Sequence, residues 1–161
     1  MTFLPTRCCA RPNAGASAST KAAKDGGWRL NLSPVAAGGP FELRVNGAGE
    51  HFVRRNVMVG EVWVCSGQSN MEWPLSASMN AEQEVLAANY PGLRMLNVGK
   101  VALLQPQSDL TGAWAAATPE IAGTFSAVGY FFARELHKRL GIAVGMINSS
   151  WGGTLAEAWT S

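Results

Sequence analysis

The second half of the chain combines continuous apolar runs with apolar residues at helical spacing. Residues 57–65 are almost all apolar, as expected for a strand buried on both faces of a parallel sheet. Residues 93–98 and 142–147 predict two further strands. Apolar residues at helical spacing over 125–140 predict a helix that stops at Gly141. Strands that alternate with helices indicate an α/β domain with a parallel sheet.

Two shorter helices are predicted with less support from the pattern. Ser78 or Asn80 is a suitable N-cap for a helix that runs to Asn89, ahead of a Pro-Gly pair. Residues 155–159 also have helical character. Each helix follows a predicted strand or the polar segment after it, which fits the alternating α/β pattern.

The first half of the chain has a different pattern. Residues 28–32 and 41–45 alternate apolar and polar positions, which predicts half-buried strands, and residues 51–53 predict the start of a third. Residues 1–24 are rich in Ala, Ser, Thr and Pro without clear periodicity, so we expect them to be disordered or poorly defined. We therefore expect three segments, with bounds 1–24, 25–56 for a remnant of a β-rich domain, and 57–161 for the α/β domain.

Composition narrows the possible functions. The chain is 47% hydrophobic and 15% charged, so it is not an intrinsically disordered protein. The net charge of +2 gives no strong field for nucleic acid, and no run of 18 apolar residues predicts a membrane span. The three cysteines and two histidines lack the spacing of a metal site, so a metal is not expected. No apolar export signal follows the N-terminus, and the compartment is not predicted.

Two polar, glycine-containing loops follow predicted strands, at residues 67–71 and 151–154. Because parallel strands end at the same edge of a sheet, both loops are expected to border one crevice. Ser69 has the setting of a serine nucleophile, and backbone N–H groups from its turn and from Gly152–Gly153 could bind an oxyanion. An ordinary turn serine and an ordinary helix start explain the same local patterns. Met71 also replaces the last glycine of the Gly-x-Ser-x-Gly elbow.

Longer stretches resemble one known family. Residues 59–71, Val-Gly-Glu-Val-Trp-Val-Cys-Ser-Gly-Gln-Ser-Asn-Met, resemble the nucleophile block of sialate O-acetylesterases, which belong to the SGNH/GDSL-like hydrolases. Residues 125–136 and 149–159 resemble the blocks that follow in that family, in the same order. The resemblance extends over about residues 18–161. It implies part of an SGNH-hydrolase (flavodoxin-like) three-layer sandwich with a parallel sheet, preceded by a small antiparallel β segment.

The resemblance also implies a reaction. Ser69 would remove an O-acetyl group from sialic acid or another acetylated sugar through an acetyl-serine intermediate, with no metal or cofactor. Gly153, or else Gly152, would supply the second oxyanion N–H. Gln68 and Asn70 would either hold the turn by side-chain hydrogen bonds or contact the substrate. A specificity of the acetyl xylan esterase type, and a non-catalytic carbohydrate-binding remnant, remain as alternatives.

The family's catalytic base is absent from these 161 residues. Related enzymes place a His three residues after an Asp, and no Asp-x-x-His occurs here. His51 and His137 are not expected to replace it, and His137 is expected to be solvated. We therefore expect an N-terminal fragment with negligible esterase turnover. Among nearby residues, Trp63 is expected in the core, Cys65 as an inert buried thiol, and Trp73 and Trp151 as candidates for stacking on a sugar.

Overall fold

The computed structural model describes residues 7–12, 15–47, 49–105 and 107–159. The chain divides into two compact units, and the division falls between Val59 and Gly60. The long strand β4 (Glu50–Gly67) passes through this division. The predicted domain bounds at residues 24 and 56 remain predictions.

The first unit consists of antiparallel strands. They are β1 (Arg7–Pro12), β2 (Ala18–Lys21), β3 (Gly38–Gly47) and the first part of β4, in the order β2-β1-β3-β4. The predicted strand at 41–45 is confirmed as part of β3, because it pairs with β4 through contacts such as Val45 opposite Phe52. The strand predicted at 51–53 is confirmed as part of β4.

Two predictions for the first unit are wrong. Strands β1 and β2 lie within the segment expected to be disordered, of which residues 1–6 and 13–14 are outside the described residues. Backbone pairing forms these strands, and backbone pairing leaves little trace in composition. Residues 28–32 form no strand, and Trp28 is exposed. An alternating pattern produces a strand only where a partner strand is available.

The second unit is built on a mixed sheet. Its strands are the end of β4, β5 (Tyr90–Asn97), β6 (Ala115–Ala117) and β7 (Ala143–Ser150), in the order β4-β7-β5-β6. Strands β4, β7 and β5 are parallel, and β6 is antiparallel to β5. The three predicted strands and the α/β class are confirmed.

The described residues of this unit also form α-helices, namely α1 (Ser69–Glu72), α2 (Ala81–Leu86), α3 (Pro119–Ala122) and α4 (Ala127–Leu140). Helix α4 confirms the main helical prediction. The Ser126 side chain caps its start by accepting a hydrogen bond from the Gly129 N–H at 3.1 Å, and Gly141 ends it with φ +65°. Helix α2 is shorter than predicted, and residues 156–159 form one 3₁₀ turn.

The hydrophobic core lies between α4 and one face of the sheet. Its largest fully buried apolar side chains come from both layers and from the segments that join them: Leu75, Leu93, Phe125, Tyr130 and Val144. Strand β7 occupies the middle of this arrangement because it pairs with β4 on one side and β5 on the other. Four consecutive β7 residues, 143–146, are buried.

The expectation that residues 57–65 are buried on both faces is wrong. Val62, Trp63 and Val64 are 60%, 43% and 63% exposed, and Cys65 is the buried residue of this run. In the second unit β4 pairs with β7 on one side. Trp63 reaches the helical layer through an edge contact with Phe132, with ring centroids 5.1 Å apart. Trp63 therefore lies at the margin of the core and not within it.

Candidate active site

The predicted nucleophile lies in a sharp turn where β4 gives way to α1. Gly67 takes φ +143°, a conformation that side-chain-bearing residues rarely adopt. The carbonyl of Gln68 accepts hydrogen bonds from the N–H groups of Met71 and Glu72, at 3.0 and 2.9 Å, and so closes the helical turn. Ser69 is the first residue of this turn and is exposed. Its N–H has no acceptor within the helix, because the first turn of a helix leaves its N–H groups unpaired.

The turn is anchored to the start of α4. The Ala127 N–H donates to the Trp73 carbonyl at 2.8 Å, and the Leu75 N–H donates to the Phe125 carbonyl at 2.9 Å. The buried Ser126 hydroxyl also lies 3.7 Å from the Met71 sulfur. These contacts fix α1 against the buried end of a long helix, so Ser69 is held on an ordered support.

The second predicted loop, after β7, lies directly beside this turn. The Trp151 N–H donates to the Gly67 carbonyl at 2.9 Å and joins the two loops. A Cβ atom at Gly152 would lie only 3.2 Å from Ser69 Oγ and 3.5 Å from Ser69 Cα. A side chain at position 152 would therefore crowd the serine hydroxyl, and glycine leaves this space open.

A carboxylate bridges the two loops. Glu72 Oε2 accepts a hydrogen bond from the Gly152 N–H, and Glu72 Oε1 forms an ion pair with Lys100 Nζ. The hydrogen bond from Lys100, followed by that from Gly152, lowers the pKa of the Glu72 carboxyl below its usual value. The carboxylate therefore stays ionised at neutral pH.

A buried polar cluster lies at the end of β7, next to the second loop. Asn148 and Ser150 are each 8% exposed. The Ser150 hydroxyl donates to Asn148 Oδ1 at 2.7 Å, and Asn148 Nδ2 donates to Asn97 Oδ1 at 2.9 Å. These bonds satisfy the polar groups and join the ends of β7 and β5 below the loop that carries Gly152.

Cys65 has the environment of a structural thiol. It is 5% exposed, and burial raises the pKa of its thiol. Its sulfur lies 3.5 Å from the Ile147 carbonyl oxygen. A buried thiol that resists ionisation is a poor nucleophile, as expected from the apolar strand around it.

The other predicted site residues occupy the surface around Ser69. Gln68 and Asn70 are exposed, and the Gln68 side chain makes no capping hydrogen bond to α1. Gly153 takes φ +79°, with open space where a side chain would begin. Trp73 and Trp151 are 54% and 37% exposed, and the Trp73 indole N–H donates to the Ala77 carbonyl at 2.9 Å.

The histidine of the second unit lies at the wrong end of the sheet to serve Ser69. His137 Nδ1 donates to the Ile142 carbonyl at 2.5 Å, just before β7 begins. The eight residues of β7 separate its two ends by about 25 Å. His137 is partly buried in this contact, so its predicted solvated state is wrong. In the first unit, His51 Nδ1 lies 2.8 Å from Asn46 Oδ1.

Two charged residues of this site escaped the sequence analysis. Glu72 lies three residues after Ser69, a spacing that places two side chains on the same face of a helix, so a helical turn at this point would have indicated it. Lys100 follows β5 in a loop whose path carries no sequence signal. Only the fold brings the lysine to the carboxylate.

Known proteins are similar to this chain in sequence and in fold. A carbohydrate acetylesterase from Xanthomonas citri, known from its crystal structure, matches 98% of the chain with a TM-score of 0.90 and 46% identity. The sialate O-acetylesterases of Homo sapiens and Mus musculus are 38% and 35% identical to the present chain over 147 aligned residues, which cover 83% of the present chain. The chain is sialate O-acetylesterase-like. The predicted relationship to this family of esterases is confirmed, as is the α/β fold.

The sialate O-acetylesterase-like chain corresponds to part of these relatives. It spans 28% of the human protein, 27% of the mouse protein and 36% of the crystallised bacterial chain. No family model matches the chain. Among the described residues, no group of three or more His, Cys, Asp or Glu side chains is arranged to hold a metal ion. None of the described helices has the length and hydrophobicity that crossing a bilayer requires.

Proposed function

We propose that this chain carries the nucleophile and the oxyanion-binding groups of a serine esterase that removes O-acetyl groups from sugars. The observation that carries the proposal is the close approach of Ser69 Oγ to the Gly152 backbone. A Cβ atom added at Gly152 would lie only 3.2 Å from this hydroxyl oxygen. An exposed serine beside a glycine turn, in a chain similar to acetylesterases, fits acyl transfer.

The reaction proceeds through a covalent intermediate. Ser69 Oγ attacks the acetyl carbonyl carbon, and the carbonyl oxygen becomes an oxyanion that backbone N–H groups stabilise. The C–O bond to the sugar then breaks, the sugar oxygen takes a proton, and acetyl-Ser69 remains. Water attacks this ester, acetate leaves, and the serine hydroxyl is restored. Ser69 and Gly153 supply the N–H donors, since the Gly152 N–H is already bonded to Glu72.

The alcohol side of the substrate is proposed to be a sugar. Trp73 and Trp151 are exposed beside the two loops, where an apolar ring face can pack on the C–H face of a pyranose. The human relative is named a sialate O-acetylesterase, and the Xanthomonas citri relative is named a carbohydrate acetylesterase. O-acetylated sialic acid is therefore the first substrate to test, with acetylated xylan as the alternative.

The chain itself is expected to turn over slowly. Ser69 has no histidine base from the second unit, because His137 lies at the opposite end of the sheet, so its proton must pass to solvent. Loss of the base in a serine hydrolase costs on the order of 10⁶-fold in kcat, so only a slow attack by Ser69 Oγ is expected from this chain.

The test measures acetate release from O-acetylated sialic acid and from acetylated xylan by purified wild-type chain, Ser69→Ala and Ser76→Ala. Ser76 is another exposed serine and serves as the matched control. We expect a slow release that Ser69→Ala reduces to the buffer rate and Ser76→Ala leaves unchanged. Release that is equal in the wild type and Ser69→Ala would contradict the proposed nucleophile, and rapid turnover would contradict the account of the missing base.

A further inference from the structure

We infer that Glu72 is a positioning residue that locks the Gly152–Gly153 turn against the helical turn of Ser69, leaving the Gly153 N–H as the oxyanion donor of that loop. The catalytic meaning of this lock rests on the proposed function, but the contact itself does not. The observation that carries the inference is the bridge that Glu72 makes between the Gly152 N–H and Lys100.

One carboxylate joins the segments that follow three parallel strands. Glu72 lies just after β4, Gly152 just after β7, and Lys100 three residues after β5 ends. Loops lack the hydrogen-bond ladder that fixes the sheet, and the loops after β4 and β7 share the backbone hydrogen bond from Trp151 to Gly67. The Glu72 bridge adds a side-chain link between the loops after β4 and β7 and ties both to the segment after β5.

The same side chain defines the space around the reacting hydroxyl. The Cβ position of Gly152 lies 2.8 Å from Glu72 Oε2 and 3.2 Å from Ser69 Oγ. Ser69 and Glu72 are three residues apart in α1, so their side chains leave the helix on the same side. Any movement of the Gly152 backbone would therefore change both the Glu72 hydrogen bond and the space beside Ser69.

Glu72 is suited to hold the turn and is unsuited to act as the base. Each of its oxygens already has a partner, one the Gly152 N–H and the other Lys100. Both partners favour the ionised form and lower the pKa of the carboxyl, which makes it a weaker proton acceptor. With its N–H committed to Glu72, Gly152 cannot donate to an oxyanion, whereas Gly153 follows it with φ +79° and open space beside its Cα.

The direct test follows the Gly152 amide by NMR as the pH is lowered from 7 to 3. A carboxylate acceptor moves a bonded amide proton downfield. Because the Glu72 pKa is lowered, the bond is present above the ordinary carboxyl pKa and is lost as pH falls through the lower folded value. We expect the Gly152 amide to shift with a midpoint below 4.5, and Glu72→Gln to abolish that titration. Glu82→Gln, on the exposed side of α2, is the matched control and is expected to preserve it.

The remaining results of this titration overturn the inference. A Gly152 amide that titrates identically in Glu72→Gln is not bonded to Glu72. If the Gly153 amide shifts with pH and the Gly152 amide does not, then Gly153 is bonded to Glu72 and Gly152 is the oxyanion donor, the reverse of the assignment. Unchanged chemical shifts of core amides, such as that of Val144, show that the fold persists over the same pH range. The Gly152 amide shifts of the wild type and Glu72→Gln are also compared at pH 7, where no acid is added.

A second measurement separates this inference from the proposed function. The rate at which a fluorophosphonate probe modifies Ser69 is compared in the wild type, Glu72→Gln and Glu82→Gln. We expect Glu72→Gln to slow the modification by about ten- to hundredfold, since small displacements of a catalytic group cost factors of this size, and Glu82→Gln to leave it unchanged. Unreactive Ser69 in the wild type counts against the proposed function alone. Reactive Ser69 with an unchanged rate in Glu72→Gln overturns the positioning role.

Discussion

Two neighbouring parallel strands, β4 and β7, have similar apolar sequences and opposite surroundings. Trp63 of β4 is paired with Met146 of β7, and Val62 and Val64 lie on either side of Trp63. Met146 is 2% exposed, whereas the two valines are 60% and 63% exposed. An apolar run therefore identifies a strand of a parallel sheet, but its position in the strand order and the layers above it determine how much of it is buried.

The ends of the two strands also differ in how far they are exposed to solvent. β7 ends in the buried cluster of Asn148 and Ser150, which is hydrogen-bonded to β5. β4 leads into the exposed start of α1, where the Ser69 hydroxyl faces the Gly152 backbone. We therefore expect substitutions in β7 to change mainly stability and substitutions at the end of β4 to change mainly chemistry.

The largest effect expected from this contrast follows from placing a charge on each strand. Val144→Asp buries a carboxylate at a site that is fully shielded from water, which costs several kcal/mol and abolishes cooperative folding. Val64→Asp places the same group on an exposed position and costs about 1 kcal/mol through its lower strand propensity. Thermal melts followed by circular dichroism distinguish the two variants. Equal losses in both would show that the exposure of β4 does not describe the protein in solution.

A smaller effect is expected where the two strands end. Ser150→Ala removes the hydroxyl that donates to Asn148 and leaves a buried acceptor with one fewer partner, at a cost of about 1 to 2 kcal/mol. Ser66→Ala is the matched change at an exposed position of β4 and is expected to alter the free energy of unfolding by less than about 0.5 kcal/mol. Urea titrations measure both. A Ser66→Ala variant that is less stable than Ser150→Ala would reverse the predicted order.

Local patterns were sufficient to predict the long helix α4 and the strands β5 and β7 of the second unit. The period of the apolar residues and the stop at Gly141 predict α4, because both depend on residues close together in sequence. The apolar runs define β5 and β7 for the same reason. The strands β1 and β2 and the exposure of Val62 and Val64 depend on which segments pair and pack, and those contacts join residues distant in sequence.

The candidate site likewise contains some residues that local sequence predicts and others that only the fold brings together. Ser69 and the glycine pair stand in short, recognisable loops after predicted strands, so the sequence alone singles them out. The contact between Glu72 and Gly152 joins residues 80 positions apart, and Lys100 reaches the same carboxylate from a third loop. Contacts of this kind arise only when three strand ends meet at one edge of a sheet.

The most direct test of the central claim compares the reactivity of Ser69 with that of Ser76 in the same chain. Both serines are exposed, but Ser69 alone of the two lies against the Gly152 backbone. Mass spectrometry of peptides measures how quickly a fluorophosphonate modifies each residue. Removing one oxyanion-hole donor costs about 10²- to 10³-fold in kcat, so we expect Ser69, which lies beside such donors, to react at least about 100-fold faster than Ser76. Equal modification of the two serines would contradict the assignment of Ser69 as an activated nucleophile.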